Sequence, residues 1–165
     1  MASIFISRWD VAVTGKVPEA LNHRLGVAIA KRIYKTYLGL LSSPRWMRAY
    51  NAGARPQRLL WASTGTKNPK ASEVLYVKAL AAPFTVNTMP EGTLQALAEH
   101  GDVGTTLPAD GGNSEEELAR FTGENIVVEA LANQLQDEGA ESFVNSWNDL
   151  MGVVSSKTAV LEGTR

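Results

Sequence analysis

The sequence contains no cysteine. That excludes thiol nucleophiles, thiolate zinc sites, iron–sulfur clusters and disulfide scaffolds, and it fits a reducing cytoplasm. Neither sign of charge is in excess: Lys plus Arg number 16, Asp plus Glu 17, and the formal net charge is -1. No global positive field is available to hold nucleic acid or an anionic membrane, so neither is expected as a partner. Histidine is scarce. His23 and His100 lie far apart without metal-ligand spacing, and both read as surface or helix-packing residues. Long apolar runs are missing as well. The greasiest stretch, 25–41, is interrupted by Lys31, Arg32 and Lys35, whereas a membrane span needs roughly 18 apolar residues in succession. The apolar start, 1–7, lacks a basic segment and runs straight into Arg8, Trp9 and Asp10, unlike a signal peptide.

What is present is an ordinary globular composition. Apolar residues make up 44% of the 165 and charged residues 20%, as in one soluble domain over 1–165, with a frayed tail expected over 158–165. Residues 2–7 read as a β-branched and aromatic strand without an alternating polar face, buried on both sides. A loop with Gly15 and Pro18 follows. Leu21, Leu25, Ile29, Ile33, Tyr37 and Leu41 recur every four residues and predict a helix ending at Ser42-Ser43-Pro44. A shorter helix carries Trp46 and Tyr50. Strands are predicted at 58–63 and 84–88, with a short helix between them that Ser72 could cap. Pro90 and Glu91 open another helix, with Leu94 and Leu97 facing inward. A loop at 102–113 precedes Ser114-Glu115-Glu116-Glu117, a solvated helix start. Two helices close the chain. One ends at Gly139; the other carries Phe143, Trp147, Leu150 and Val154 as a core stripe. Alternating strands and helices predict a small parallel α/β sheet with right-handed crossovers and two open edges.

In parallel α/β folds, chemistry gathers at the C-terminal ends of strands. Three clusters occupy such positions. Period-two alternation puts Ser3, Phe5 and Ser7 on one strand face, with Arg8 at the end, where a guanidinium can grip a phosphate or carboxylate or simply pair with Asp10. The loop 62–69 offers Ser63, Thr64, Thr66, Lys67 and flexible backbone N–H groups, the parts of a phosphate cradle or of an ordinary polar loop. It is not a Walker loop, because the Gly-x-x-x-x-Gly-Lys spacing is missing. Asn87 and Thr88 offer hydrogen bonds to sugar hydroxyls, or serve the turn before Pro90. No paired carboxylates, Ser–His pair or metal cluster emerges, so neither cofactor nor metal is expected.

Read in order, Leu60-Trp61-Ala62-Ser63-Thr64-Gly65-Thr66-Lys67-Asn68-Pro69 and Thr85-Val86-Asn87-Thr88-Met89-Pro90 resemble the C-terminal half of the longer bacterial transaldolases. The opening Ser3-x-Phe5-x-x-Arg8 is similar to the sixth strand of that barrel, and 143–150 to its last helix. The resemblance implies strands six to eight of a (β/α)8 TIM barrel: about three parallel strands, flanking helices and extra C-terminal helices. It implies a cytoplasmic transferase family of the pentose phosphate pathway. Such enzymes move a dihydroxyacetone unit between sugar phosphates through a Schiff base on a barrel lysine. By position, Ser3 and Phe5 would line the substrate pocket, and Arg8, Ser63 and Lys67 would bind the phosphate.

A whole barrel needs eight strands and about 250 residues. The family's Schiff-base lysine lies on its fourth strand, and its acid/base carboxylates on the first and third. The resemblance reaches none of these strands. The seven lysines of this chain all fall in predicted loops or helices. A nucleophilic amine must shed a proton held with an ordinary pKa of about 10.4, which requires desolvation or a neighbouring cation. Only Lys67 lies near a plausible pocket, where a phosphate would keep it protonated. No catalytic residue is therefore assigned. The expectation is a fragment, a split gene product or a truncated frame: a C-terminal half-site that binds sugar phosphates and is inactive alone. Its partner would be an N-terminal barrel half. The rival expectation is a non-catalytic binding or assembly protein that forms a homo-oligomer through its open sheet edges.

Overall fold

The computed structural model describes residues 1–66, 68 and 71–163. They divide into two compact units, Met1–Val127 and the segment from Val128 onward. The first unit holds a three-stranded sheet in the order β1 (Ala2–Phe5), β2 (Leu59–Ala62), β3 (Thr85–Asn87). Both pairings are parallel, with Ala2 opposite Leu59 and Leu59 opposite Thr85. This mixed α/β arrangement of three parallel strands and flanking helices is that of a partial TIM barrel.

Strand alternation sorts the residues by face. Leu59 and Trp61 on β2 are buried, and their partners Ala2 and Ile4 pack against the same core. That core joins Ile6, Trp61, Tyr76 and Leu80 to the sheet-facing side of α2 (Leu25–Leu41), through Ala30, Tyr34 and Tyr37. Trp61 is fully buried, and its indole N–H donates to the Leu80 carbonyl at 3.0 Å. The opposite sheet face carries Ser3, Phe5, Leu60 and Ala62. Ser3 is exposed and the other three are half-buried, so β1 is not buried on both sides as its composition suggested.

The chain re-enters helix at once after β1. α1 spans Ser7–Val13, where the sequence suggested a strand end and a loop. A 3-10 turn at Glu19–Leu21 and a left-handed His23 (φ 62°) then precede α2, which starts four residues later than the Leu21 periodicity implied. α3 (Pro44–Asn51) starts as expected: the Ser43 hydroxyl caps the Trp46 N–H and Pro44 fills the first turn. α4 (Leu75–Ala79) and α5 (Glu91–His100) follow β2 and β3. α5 buries Thr93 and Ala96, while Leu94 is exposed. Its inward face is turned by one residue from the expected one.

α6 (Ser114–Gly123) lies along α2. Its acidic start is not simply solvated. Arg32 grips Glu115 with two hydrogen bonds, holding that carboxyl below its usual range, and Arg24 reaches the buried Glu117 at 3.2 Å. Arg32, one of the cations that interrupt the apolar stretch of α2, is thus a partner of α6.

The second unit is one helix, α7 (Val128–Gly163), 36 residues long. It runs through Gly139, where a stop was expected, and through 158–163, where fraying was expected. Residues 164–165 of that tail lie outside the described residues. Phe143, Trp147, Leu150 and Val154, expected in a core, are exposed, Trp147 by 61%. No helix among the described residues is long and apolar enough to cross a membrane.

Candidate functional site

Two neighbouring constellations form where β1 and β2 end. The first gathers the residues singled out from the sequence. The Ile6 N–H donates to the Ala62 carbonyl at 2.9 Å and the Ser7 N–H to the Ser63 carbonyl at 3.1 Å. These bonds extend the β1–β2 register past the strands and set the start of α1 beside Ser63. Ser63 adopts φ 54°, a left-handed turn that few non-glycine residues take up, and it redirects the chain at the end of β2. Arg8 leans back over Phe5 with its guanidinium carbon 4.2 Å from the ring centroid. A guanidinium stacked on an aromatic face keeps its N–H fork free to meet an anion in the plane. Phe5 and Ser3 share the sheet face away from the core, so Arg8, Phe5 and Ser3 belong to one surface. Lys67 lies outside the described residues.

Behind β2 the adjoining loop is held by Thr64, which is fully buried. Its hydroxyl lies 2.7 Å from Asn87 Oδ1 and 2.9 Å from the Thr88 carbonyl. The Asn87 carboxamide oxygen is therefore occupied by the scaffold, in line with the turn role weighed for it.

The second constellation was not legible in the sequence. A cavity of about 580 Å³ is lined by Ser7, Asp10, Thr14, His23, Asn68 and Tyr76, together with Val11 and Asn22. Ser3, Phe5, Arg8 and Ser63 are not among these. Asp10 is 5% exposed yet has partners for both oxygens. Gly26 N–H donates to Oδ1 at 3.2 Å and Tyr76 Oη–H to Oδ2 at 2.8 Å. Burial raises the Asp10 carboxyl above its ordinary value, against the opposing pull of these hydrogen bonds and of His23. Burial and the adjacent Asp10 charge push the Tyr76 phenol far up, so it stays a proton donor. His23 Nδ1 lies 3.4 Å from Tyr76 Oη, and its Nε2 lies 3.1 Å from Asn68 Nδ2. His23 is thus in a turn facing a cavity rather than on a helix face.

Sequence separation explains the miss, since Asp10 meets Gly26 and Tyr76 across 16 and 66 residues. One signal was available: Gly26 opens an otherwise good helix. An added Cβ there would stand 2.5 Å from the Ile6 carbonyl and 2.8 Å from Asp10 Oδ2, so this glycine marks a close crossing of α1 and α2.

Among the described residues no cluster of three His, Asp or Glu stands close enough to hold a metal ion. Of the lysines, Lys16 lies in a turn, Lys31 and Lys35 on α2, Lys78 on α4 and Lys157 on α7. Lys67 and Lys70 lie outside the described residues.

Comparison with known proteins points one way. The sequence model described as Transaldolase/Fructose-6-phosphate aldolase matches residues 1–154. A transaldolase of Parafrankia sp. (strain EAN1pec) is 41% identical over 162 residues, covering 93% of this chain and 44% of that protein. A transaldolase of Mycolicibacterium smegmatis is 40% identical over 159 residues, covering 92% and 43%. One from Neisseria meningitidis serogroup C is 37% identical over 151 residues, again covering 92% and 43%. The chain spans less than half the length of these curated relatives.

Proposed function

The chain belongs to the transaldolase/fructose-6-phosphate aldolase family, and on that premise we propose that it is the sugar-phosphate-binding part of a transaldolase, without the Schiff-base lysine. Arg8, Ser63 and Lys67 would bind the phosphate, while Ser3 and Phe5 would line the pocket. Dihydroxyacetone transfer, a step of the pentose phosphate pathway in the cytoplasm, would need an N-terminal barrel half supplied in trans. The observation that carries this reading is the Arg8 guanidinium stacked on Phe5 beside the left-handed Ser63. It gathers a cation, an aromatic wall and a hydroxyl-bearing residue at the ends of two adjacent parallel strands.

Titration calorimetry with fructose 6-phosphate tests it. Arg8→Ala should weaken binding by about 1.5–3 kcal/mol, the worth of a hydrogen bond to a charged group. Unchanged affinity would remove Arg8 from the phosphate site. Borohydride treatment in the presence of the same sugar should leave the mass of the chain unchanged. A trapped adduct would mean that one of its own lysines is the nucleophile.

A second reading is self-association without catalysis. It is favoured by the exposed apolar residues of α7, among them Phe143, Trp147 and Leu150, and by the edge strands β1 and β3. Light scattering should then find a discrete dimer, and a monomer would rule this reading out.

A further inference from the structure

We infer that Tyr76 and His23 are positioning residues, which tie the loop after β2 to the helix that carries Arg8 through a one-way chain of hydrogen bonds. The inference rests on the phosphate-site reading above. The amide nitrogen of Asn68 can only donate, so its 3.1 Å contact makes His23 Nε2 the acceptor. The neutral ring then carries its proton on Nδ1, which faces Tyr76 Oη at 3.4 Å. The tyrosine proton is directed to Asp10 Oδ2 at 2.8 Å, and Asp10 Oδ1 is fixed by the Gly26 N–H. Every group donates in the same direction, from the loop to a carboxylate buried between α1 and α2.

The two ends of this chain give it a functional meaning. Asp10 lies two residues beyond Arg8 on α1, and Asn68 adjoins Lys67 in sequence. Their connection therefore fixes Asn68, in the loop after β2, relative to the helix that carries Arg8. The turn that presents His23 holds a left-handed φ of 62°, an unfavourable conformation for a non-glycine residue that the surrounding contacts must sustain. A histidine kept only for packing would have no need of one tautomer. Here a proton on Nε2 would break the contact with Asn68 and leave Tyr76 without a donor.

The test uses the whole chain and three readouts. Ring-nitrogen ¹⁵N shifts of His23 should show Nδ1 protonated and Nε2 accepting in the wild type. Tyr76→Phe should weaken that preference, because Nδ1–H then loses its acceptor while Asn68 still donates to Nε2. His23→Ala cuts the chain while keeping the Tyr76–Asp10 bond, and it serves where Tyr76→Phe fails to fold. Both variants should speed amide exchange at Thr66 and Asn68 and weaken fructose 6-phosphate binding about five-fold, the effect of one lost hydrogen bond. A wild-type proton on Nε2, or unchanged loop exchange in His23→Ala, would overturn the positioning role. So would unchanged sugar-phosphate affinity in a variant whose loop has loosened. If the wild type does not bind fructose 6-phosphate at all, the phosphate reading fails instead, and the tautomer and exchange results still decide whether the chain orders the loop.

Discussion

Two glycines of one helix should respond to alanine with opposite signs. Gly26 and Gly39 both lie in α2. An alanine at Gly39 meets nothing within 4 Å. There only intrinsic helix propensity and the stiffer unfolded chain act, for a gain of about 0.4–1 kcal/mol. At Gly26 the same gain is opposed by the new methyl, 2.5 Å from the Ile6 carbonyl, 2.8 Å from Asp10 Oδ2 and 3.1 Å from Ile6 Cγ2. The nearest of these is backbone, so α1 and α2 must part rather than a side chain rotate. Overpacking of this kind costs typically about 1–3 kcal/mol. Parting the helices also stretches the Gly26 N–H bond to Asp10, which is worth about 1 kcal/mol. The expected net loss for Gly26→Ala is about 1–3 kcal/mol, against a small gain for Gly39→Ala. Urea denaturation of the two variants and the wild type measures this as a change in midpoint at constant slope. A Gly26→Ala protein as stable as Gly39→Ala would refute the close-crossing argument.

Asp10 and Thr64 supply further expectations. The folded carboxyl of Asp10 is raised by burial above its ordinary value of 3.8. Its contribution to stability is therefore fully present below that value and is lost as pH rises through the folded pKa. Thermal melts of wild type and Asp10→Asn from about pH 3 to 7 should show the wild-type advantage shrinking with rising pH. The opposite contribution of Glu115, whose carboxyl is lowered by Arg32, cancels in that difference. A difference that grows with pH would mean that Asp10 is stabilised as the anion instead. Thr64→Val keeps the shape of a fully buried side chain but leaves Asn87 Oδ1 and the Thr88 carbonyl without its hydroxyl. It should lower the urea midpoint by the equivalent of about 1–3 kcal/mol, and an unchanged midpoint would show that the hydroxyl does not anchor the loop.

The local pattern was sufficient for the three strands, the parallel α/β class and most helices, because burial on one face writes a period of 2 or 3.6 into neighbouring residues. The positions of Ser3 and Phe5 on β1, and of Arg8 and Ser63 just beyond β1 and β2, were legible for the same reason: they follow from where strands run and stop. The resemblance of the 60–69 and 85–90 segments carried the family as well, since a loop that follows a strand keeps its residues contiguous. Tertiary structure decided the rest. A helix could begin at Ser7 because Ile6 and Ser7 continue the β1–β2 hydrogen bonding through their backbone, which leaves no mark in side-chain periodicity. The acidic start of α6 became a set of ion pairs because Arg24 and Arg32, about 90 residues earlier, lie along it. α7 ran through Gly139 because one helical glycine costs only about 1 kcal/mol. Above all, the Asp10–Tyr76–His23–Asn68 chain exists only once α1, the turn before α2, the loop after β2 and α4 come together. A carboxylate with partners so distant in sequence gives no sign, in its own neighbourhood, that it is buried.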